Sequence, residues 1–95
     1  MTDAPVIAPG VVPAFNRGFR LRFDEVRESW VVLAPERLFM LDEPAVEVLK
    51  LVDGVRTIPE IVDALAARYD APRSAIDSDV AAMLQDLADK GAIRL

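Results

Sequence analysis

The side chains that could do chemistry in this chain are almost all carboxylates. The sequence contains no cysteine and no histidine, which excludes thiolate nucleophiles, disulfides, iron–sulfur ligation and most zinc or haem sites. Acid–base catalysis would need a carboxylate pair or an activated serine, lysine or tyrosine, and the only candidates are acids on predicted helix surfaces. The sequence therefore predicts a protein that is not an enzyme and holds no metal or cofactor.

Composition and charge are typical of a small folded domain. Hydrophobic residues make up 53% and charged residues 28% of the 95 residues, a balance that supports one domain with one modest core. The formal net charge is −5, and acids are in excess in both halves of the chain. Neither half therefore presents the concentrated basic face that binds phosphates, and we expect no nucleic acid among the partners.

The sequence also carries no signal for a membrane or for export. No apolar run approaches the roughly 18 residues that cross a bilayer. The first ten residues contain an aspartate but no lysine or arginine, unlike the charged start of a signal peptide. The lack of cysteine fits a reducing compartment. We expect a cytoplasmic protein without a membrane partner.

Prolines divide the chain into an arm and a domain. Residues 1–16 contain three prolines, which fix φ and remove amide donors, so we expect a flexible N-terminal arm there and a folded domain over residues 17–95. The alternative for the arm is a segment that docks on a partner subunit. The apolar residues available for that docking are Val6, Ile7, Val11 and Val12.

Three short runs at the start of the domain predict an antiparallel β-meander. Phe19–Phe23 alternates between apolar and cationic residues, which is the period-2 pattern of a strand. Trp30–Leu33 is a β-favouring run that can return antiparallel, and Arg37–Leu41 follows a proline turn. The first and third predicted strands then lie at the edges of the sheet.

The rest of the chain is organised around the third predicted strand. Its apolar residues are consecutive, so Leu38 and Met40 lie on one face and Phe39 and Leu41 on the other. Such a strand needs cover on both faces.

Helical spacing of apolar residues replaces the strand pattern from Asp42 onward. Each predicted helix begins at an N-cap residue, and the second and third have the spacing of a capping box. The last residues, Ile93–Leu95, could end as an extended strand. The first predicted helix starts at Asp42 and stops at Asp53-Gly54, the second starts at Thr57 and stops at Tyr69, and the third starts at Ser74 and stops at Gly91.

This order of elements predicts an α+β fold. A three-stranded antiparallel β-meander followed by three α-helices is winged helix-turn-helix-like, and that shape often binds DNA. The candidate recognition helix, Ala75–Lys90, carries four aspartates against one lysine, a surface that repels phosphates. A winged-helix nucleic-acid-binding domain is therefore the alternative function and not the first one.

Four motifs stand in order along the chain, and they are Leu33-Ala34-Pro35-Glu36-Arg37, Asp53-Gly54-Val55-Arg56-Thr57-Ile58-Pro59-Glu60-Ile61-Val62, Leu65-Ala66-Ala67-Arg68-Tyr69, and Asp79-Val80 followed by Leu84, Leu87 and Gly91. Together these motifs resemble the PqqD family, the peptide chaperones of pyrroloquinoline quinone biosynthesis. The resemblance covers roughly residues 17–93. One departure is Pro44, where a small or hydroxyl residue is expected.

The resemblance implies both a function and a binding mode. Members of the resembled family bind a ribosomally made precursor peptide and present it to a radical SAM enzyme, which cross-links a glutamate and a tyrosine of that peptide. The resemblance further implies that the peptide adds as a β-strand along the third strand, over a groove closed by the third helix. The quinone is the product of the pathway, so the resemblance implies no cofactor on this chain.

The charges at the edges of the predicted sheet point to the third strand as well, independently of the resemblance. Arg20 and Arg22 discourage pairing at the first strand, whereas the third strand has only Arg37 at its start. An unprotected apolar edge is suited to strand addition. We expect the pockets to be lined by Leu38 and Met40 together with apolar residues of the third helix. The predicted peptide-binding residues are Arg37, Leu38, Phe39, Met40, Leu41, Ile76, Val80, Met83, Leu84 and Leu87.

Two alternatives stay open for these residues. Large apolar residues on a periodic face are usually core, and that reading applies to Phe39, Leu41, Ile76, Val80, Leu84 and Leu87. The free edge or the N-terminal arm could also pair with another copy, which would make the chain a self-associating structural domain and a homodimer. We expect the radical SAM enzyme to meet a different surface, formed by Arg20, Arg22 and the 24–29 loop.

Overall fold

The computed structural model describes residues 7–95 and has an α+β fold with three helices and two small antiparallel sheets. Val6, one of the apolar residues of the predicted arm, lies outside the described residues. The elements, in chain order, are β1 (Ala14–Phe15), β2 (Arg20–Asp24), β3 (Ser29–Leu33), β4 (Leu38–Met40), α1 (Glu43–Leu49), α2 (Ile58–Ala66), α3 (Arg73–Asp89) and β5 (Ile93–Arg94).

The larger sheet is a three-stranded meander in the order β2-β3-β4, with β4 at one edge. Leu21, Val32 and Phe39 are directly opposite one another, and all three pack on the helices. Because side chains alternate along a strand, the other set lies on the outer face of the sheet. That outer set is Arg20, Arg22, Val31, Leu33, Leu38 and Met40.

The smaller sheet pairs β1 with β5, so residues 14–15 lie next to residues 93–94. Asn16 strengthens this contact, because its backbone amide donates to the carbonyl of Ala92 (2.9 Å) and its side-chain amide donates to the carbonyl of Gly91 (2.8 Å). Pro13 is fully buried beside β1. These residues fall in the predicted arm, so its last part packs on its own chain, while the boundary between arm and domain stays a prediction. The last residues, for which the sequence left an extended strand open, form β5 at Ile93–Arg94.

The first two helices begin where the capping signals predicted and end earlier. The Asp42 carboxylate accepts from the amide of Ala45 (2.9 Å) at the start of α1, and Thr57 and Glu60 form the reciprocal capping box of α2. Helix α1 was predicted to run to Asp53 but ends at Leu49. The Asp53 carboxylate instead accepts from the amides of Val55 and Arg56 and so stabilises a turn, which is a common role for aspartate.

The capping box predicted at Ser74 is wrong. Helix α3 begins at Arg73 after Pro72, and no side chain caps its first turn. Since Ser74 already lies inside the helix, its hydroxyl is not in the N-cap position from which it could accept the N3 amide. The Arg73 guanidinium instead contacts the Asp63 carboxylate of α2 at 2.8–2.9 Å. Gly91, with φ of +82°, follows the helix as predicted.

The core lies between the inner face of the meander and the helices. Its fully buried large side chains include Leu49 of α1, Ile61 of α2, Leu84 of α3 and Ile93 of β5. Phe39 and Leu41 pack against this cluster from the sheet side. None of the helices in residues 7–95 is long and apolar enough to cross a lipid bilayer.

The capping box of α2 leads to a pH-dependent prediction. The Thr57 amide and hydroxyl donate to Glu60 Oε1 at 2.8 and 3.0 Å, and these bonds lower the pKa of Glu60 below its ordinary value of 4.5. A carboxyl whose pKa is lower in the folded state stabilises that state above its unfolded pKa, and the contribution is lost as pH falls through the folded pKa. We therefore expect Glu60→Gln to lower the free energy of unfolding at pH 7 but much less at pH 3. Urea unfolding at both pH values measures this difference.

Glu36→Gln is the matched control for that experiment, because Glu36 is exposed in the β3–β4 turn. It should change the free energy of unfolding little at either pH. An effect of Glu60→Gln that is the same at pH 7 and pH 3 would contradict the role given to the carboxylate.

Candidate functional site

The outer edge of β4 is free in the described part of the chain, because β4 pairs only with β3. The amide of Ala34 donates to the carbonyl of Arg37 (2.9 Å) at the turn between the two strands. Hydrogen-bonded pairs alternate along an antiparallel ladder, so the next one is Val32 with Phe39. The amides and carbonyls of Leu38 and Met40 therefore point to the free edge, where a further strand can bind them.

A groove of about 410 Å³ begins close to where β4 ends and runs between α1 and α3. Its walls are mostly apolar, and the end of α2 closes it. Three carboxylates, those of Glu43, Glu47 and Asp79, lie among the lining residues. The apolar and aromatic lining residues are Pro44, Val48, Leu65, Tyr69, Ala71, Ile76, Val80 and Met83.

The three carboxylates of the groove differ in how their charge is balanced. Glu47 contacts Arg68 at 2.8 Å and Lys50 at 3.5 Å. Partial desolvation raises the pKa of Glu47, but the two cations outweigh it and hold the pKa below its usual range. Glu43 and Asp79 are exposed and form no ion pair with any residue in 7–95. The groove therefore carries two uncompensated negative charges.

Half-buried and buried residues of α3 are divided between this groove and the core. Ile76, Val80 and Met83, three of the predicted peptide-binding residues, line the groove, and their contact with a peptide stays a prediction. Leu84 and Leu87 are 0% and 6% exposed and pack in the core cluster. For these two residues the structure supports the core reading rather than the groove.

The prediction that Leu38 and Met40 share pockets with the third helix is wrong. Both side chains lie on the outer face of the sheet, whereas Phe39 and Leu41 face the helices. The alternation of side chains along a strand makes it impossible for all four to face the same way. Leu38 is half-buried, and Met40 is 61% exposed.

Arg37 joins the start of β4 to the end of α3. Its guanidinium lies 4.9 Å from the centre of the Phe39 ring and donates to the carbonyl of Lys90 at 3.2 Å. Arg37 therefore ties the start of β4 to the residue that follows α3.

Sequence reasoning missed the contribution of α1 to the site. Pro44 and Val48 line the groove, and Leu65 of α2 and Tyr69, which follows α2, close it. The available signal was Pro44, an apolar residue in an exposed first turn that also departs from the pattern of the resembled family. Its exposure could not be deduced without knowing where α3 packs.

The arrangement is suited to binding a peptide. Within residues 7–95 no three acidic side chains are placed to hold a metal ion together. The free backbone edge supplies hydrogen bonds, and the groove supplies an apolar surface with negative charge at its rim. These are the components of a peptide-binding site that works by strand addition.

Comparison with known proteins gives the family. A family model described as "Coenzyme PQQ synthesis protein D (PqqD)" matches residues 29–93. A relative from Rhodopseudomonas palustris (strain TIE-1), the "PqqA binding protein", is 60% identical over 79 residues, which is 83% of this chain and 78% of the relative.

Two solved structures share the fold. The PqqD truncation of Methylobacterium extorquens PqqCD, a stand-alone recognition element for ribosomally synthesized peptides studied by NMR, has a TM-score of 0.79 and 48% identity, covering 95% of this chain and 96% of that one. TbiB1, solved with the TbiA(beta) leader peptide, is 23% identical with a TM-score of 0.74, covering 85% and 94%, and shows likeness of fold alone. From the family model and these identities, the chain belongs to the PqqD family, as its motifs predicted.

Proposed function

We propose that this chain binds the PqqA precursor peptide by β-strand addition along the free edge of β4 and thereby serves as a peptide chaperone in pyrroloquinoline quinone biosynthesis. Relatives up to 60% identical are named PqqA binding proteins. The observation that carries the proposed mode is the free edge of β4 next to an apolar groove. Binding is the whole activity, and no residue acts as a catalyst.

The peptide gains its affinity from two kinds of contact. Its backbone pairs with the amides and carbonyls of Leu38 and Met40, which gives a sequence-independent contribution. Its side chains that point inward contact the apolar lining formed by Ile76, Val80 and Met83. Met83 is half-buried, and a flexible thioether side chain repacks readily around different partners.

The partner that acts on the bound peptide is, in this proposal, a radical SAM enzyme that docks on the outer face of the meander. That face carries Leu33 and Leu38, both half-buried, the exposed Met40, and the two exposed arginines of β2, Arg20 and Arg22. Exposed sheet faces are usually polar, so apolar residues here favour a protein contact. Since β4 provides both this face and the free edge, a docked enzyme would lie beside the peptide.

The charges on the last helix argue against the alternative function, a winged-helix domain that binds nucleic acid. In the sequence order meander, α1, α2, α3, the last helix would be the reader of DNA. The basic residues at its two ends, Arg73 in the helix and Lys90 just after it, are engaged in ion pairs with Asp63 and Asp86. No unpaired cation remains on α3 in the described structure, so it offers phosphates only its acids.

The test of the proposed function is a titration of the ¹⁵N-labelled chain with unlabelled PqqA, followed by amide chemical shifts. We expect the largest changes at residues 37–41 and on the groove side of α3. A second titration, with the radical SAM enzyme added to the peptide complex, should broaden amides of β2 and β3 on the outer face. Shifts that avoid residues 37–41 and α3 would refute the proposed site.

Self-association through the same edge is distinguished by mass. If two copies pair along β4 to form a homodimer, light scattering on the free chain should report twice the monomer mass, and added PqqA should dissociate the dimer. A mass that PqqA leaves unchanged at the dimer value would place the contact elsewhere, for example in the N-terminal arm.

A further inference from the structure

We infer that the groove between α1 and α3 makes this chain selective for a peptide in which a cation accompanies a large apolar side chain, with Glu43 and Asp79 as the selecting residues. The inference rests on the proposed function and adds the chemistry of the segment that enters the groove. It has three supports, namely the lining of the groove, its charge and its position along the chain.

The lining fits one large apolar side chain. The groove of about 410 Å³ is walled by Pro44 and Val48 of α1, by Leu65 of α2, and by Val80 and Met83 of α3. Val48, Leu65 and Val80 are buried or nearly so, which makes the floor rigid. Grooves of this size that are mainly apolar, with a few polar groups, commonly bind ligands in proteins.

The charge at the groove favours a cation beside that side chain. Glu43 and Asp79 line the groove from α1 and α3, both are exposed, and neither forms an ion pair within residues 7–95. No lysine or arginine lines the groove. Arg68, which lies beside it, is bonded to Glu47 at 2.8 Å and so balances that acid rather than the other two. A carboxylate carried by the peptide would be repelled.

The position of the groove ties it to the proposed strand pairing. Glu43 is only three residues after Met40, so the two lie at most about 11 Å apart along the chain. A peptide strand advances about 3.3 Å per residue. A peptide side chain about three positions from the residue that pairs with Met40 is therefore within reach of Glu43, and in this inference the cation lies on one of that residue's immediate neighbours.

The test compares the affinity of PqqA for Glu43→Gln, Asp79→Asn and the double variant, measured by isothermal titration calorimetry at low and high salt. Exposed charge pairs contribute modestly, so we expect each single change to weaken binding about twofold to fivefold and the double change about tenfold. Added salt should weaken binding to the unchanged chain more than binding to the double variant, because salt screens exposed charges.

Asp77→Asn is the matched control for Asp79→Asn. Asp77 is exposed on the same helix but does not line the groove, and its neutralisation changes the net charge by the same amount. It should leave the affinity within about twofold. Circular dichroism of each variant confirms that the helices are retained.

The cation on the peptide has two sources, an amino terminus or a lysine or arginine side chain. Acetylated PqqA tests the first, and PqqA with each lysine or arginine changed in turn to glutamine tests the second. The peptide change that removes the contact should lower the affinity for the unchanged chain but not for the double variant.

The outcomes separate the inference from the function beneath it. PqqA binding that is equally tight for the unchanged chain and the double variant, at both salt concentrations, overturns the inference and leaves the proposed function in place. An equal loss from Asp77→Asn also overturns it, because the effect would then be one of net charge. Failure of the unchanged chain to bind PqqA at all overturns both.

Discussion

Met40→Pro is expected to reduce the affinity for PqqA at least tenfold, to roughly one-tenth to one-hundredth, while the domain stays folded. The amide of Met40 points to the free edge of β4 and bonds no strand of the described chain. Proline removes this donor without breaking the ladder to β3, and proline is tolerated on edge strands for that reason. An added peptide strand would lose one hydrogen bond and leave one of its carbonyls unpaired. Calorimetry with PqqA measures the loss.

Met40→Ala is the matched control, because it shortens the same side chain and keeps the amide. Met40 is 61% exposed on the outer face, so its side chain does not reach the inward groove. Binding of PqqA to Met40→Ala should stay within a few-fold of the unchanged chain. If Met40→Pro binds PqqA normally while its circular dichroism is unchanged, strand addition at β4 is ruled out.

Leu84→Ala is expected to lower the free energy of unfolding by about 2–5 kcal/mol. Leu84 is fully buried in the core cluster, where α3 packs against α2 and the meander. Its removal leaves a cavity in a small domain whose total stability is of the order of 5–15 kcal/mol, so the variant should be close to unfolding. Urea denaturation followed by circular dichroism measures the change.

The neighbouring Met83 provides the contrast, and an exposed valine provides the control. Met83 lines the groove and is half-buried. The loss of binding free energy for PqqA in Met83→Ala should therefore exceed the loss in the free energy of unfolding. Val26 is 92% exposed in the β2–β3 turn, and Val26→Ala should change stability by less than about 0.5 kcal/mol. If Leu84→Ala lowers the free energy of unfolding only slightly but abolishes peptide binding, the core role given to Leu84 is wrong and Leu84 belongs to the peptide site.

Local patterns determined most of the elements, because the forces that set them act between near neighbours. The side chains of Asp42, Thr57 and Glu60 cap the helices that they precede or begin, and each reaches an amide three residues away at most. The faces of β4 followed from alternation alone. The prediction for the third helix was wrong because both Pro72 and Ser74 are suited to a helix start, and the spacing of the residues does not decide between them.

Long-range pairings lay beyond any local pattern. The two residues of β1 are too few to show a period, and their partner strand is nearly eighty positions away. Proline and valine around them are equally suited to a mobile arm. Only the packed chain provides the C-terminal strand that makes extended backbone favourable at Ala14 and Phe15.

The sequence by itself determined the chemistry that this protein lacks and the strand that it exposes. The absence of cysteine and histidine excludes thiolate and imidazole chemistry, and the alternating residues around Phe39 already indicated which side chains meet the core. The tertiary structure decided which face of α3 is free. Leu84 is buried and Met83 is not, although both are large apolar residues on one helix, because the groove depends on how α1 and α3 approach each other. That approach is set by the packing of the whole core, and no local spacing encodes it.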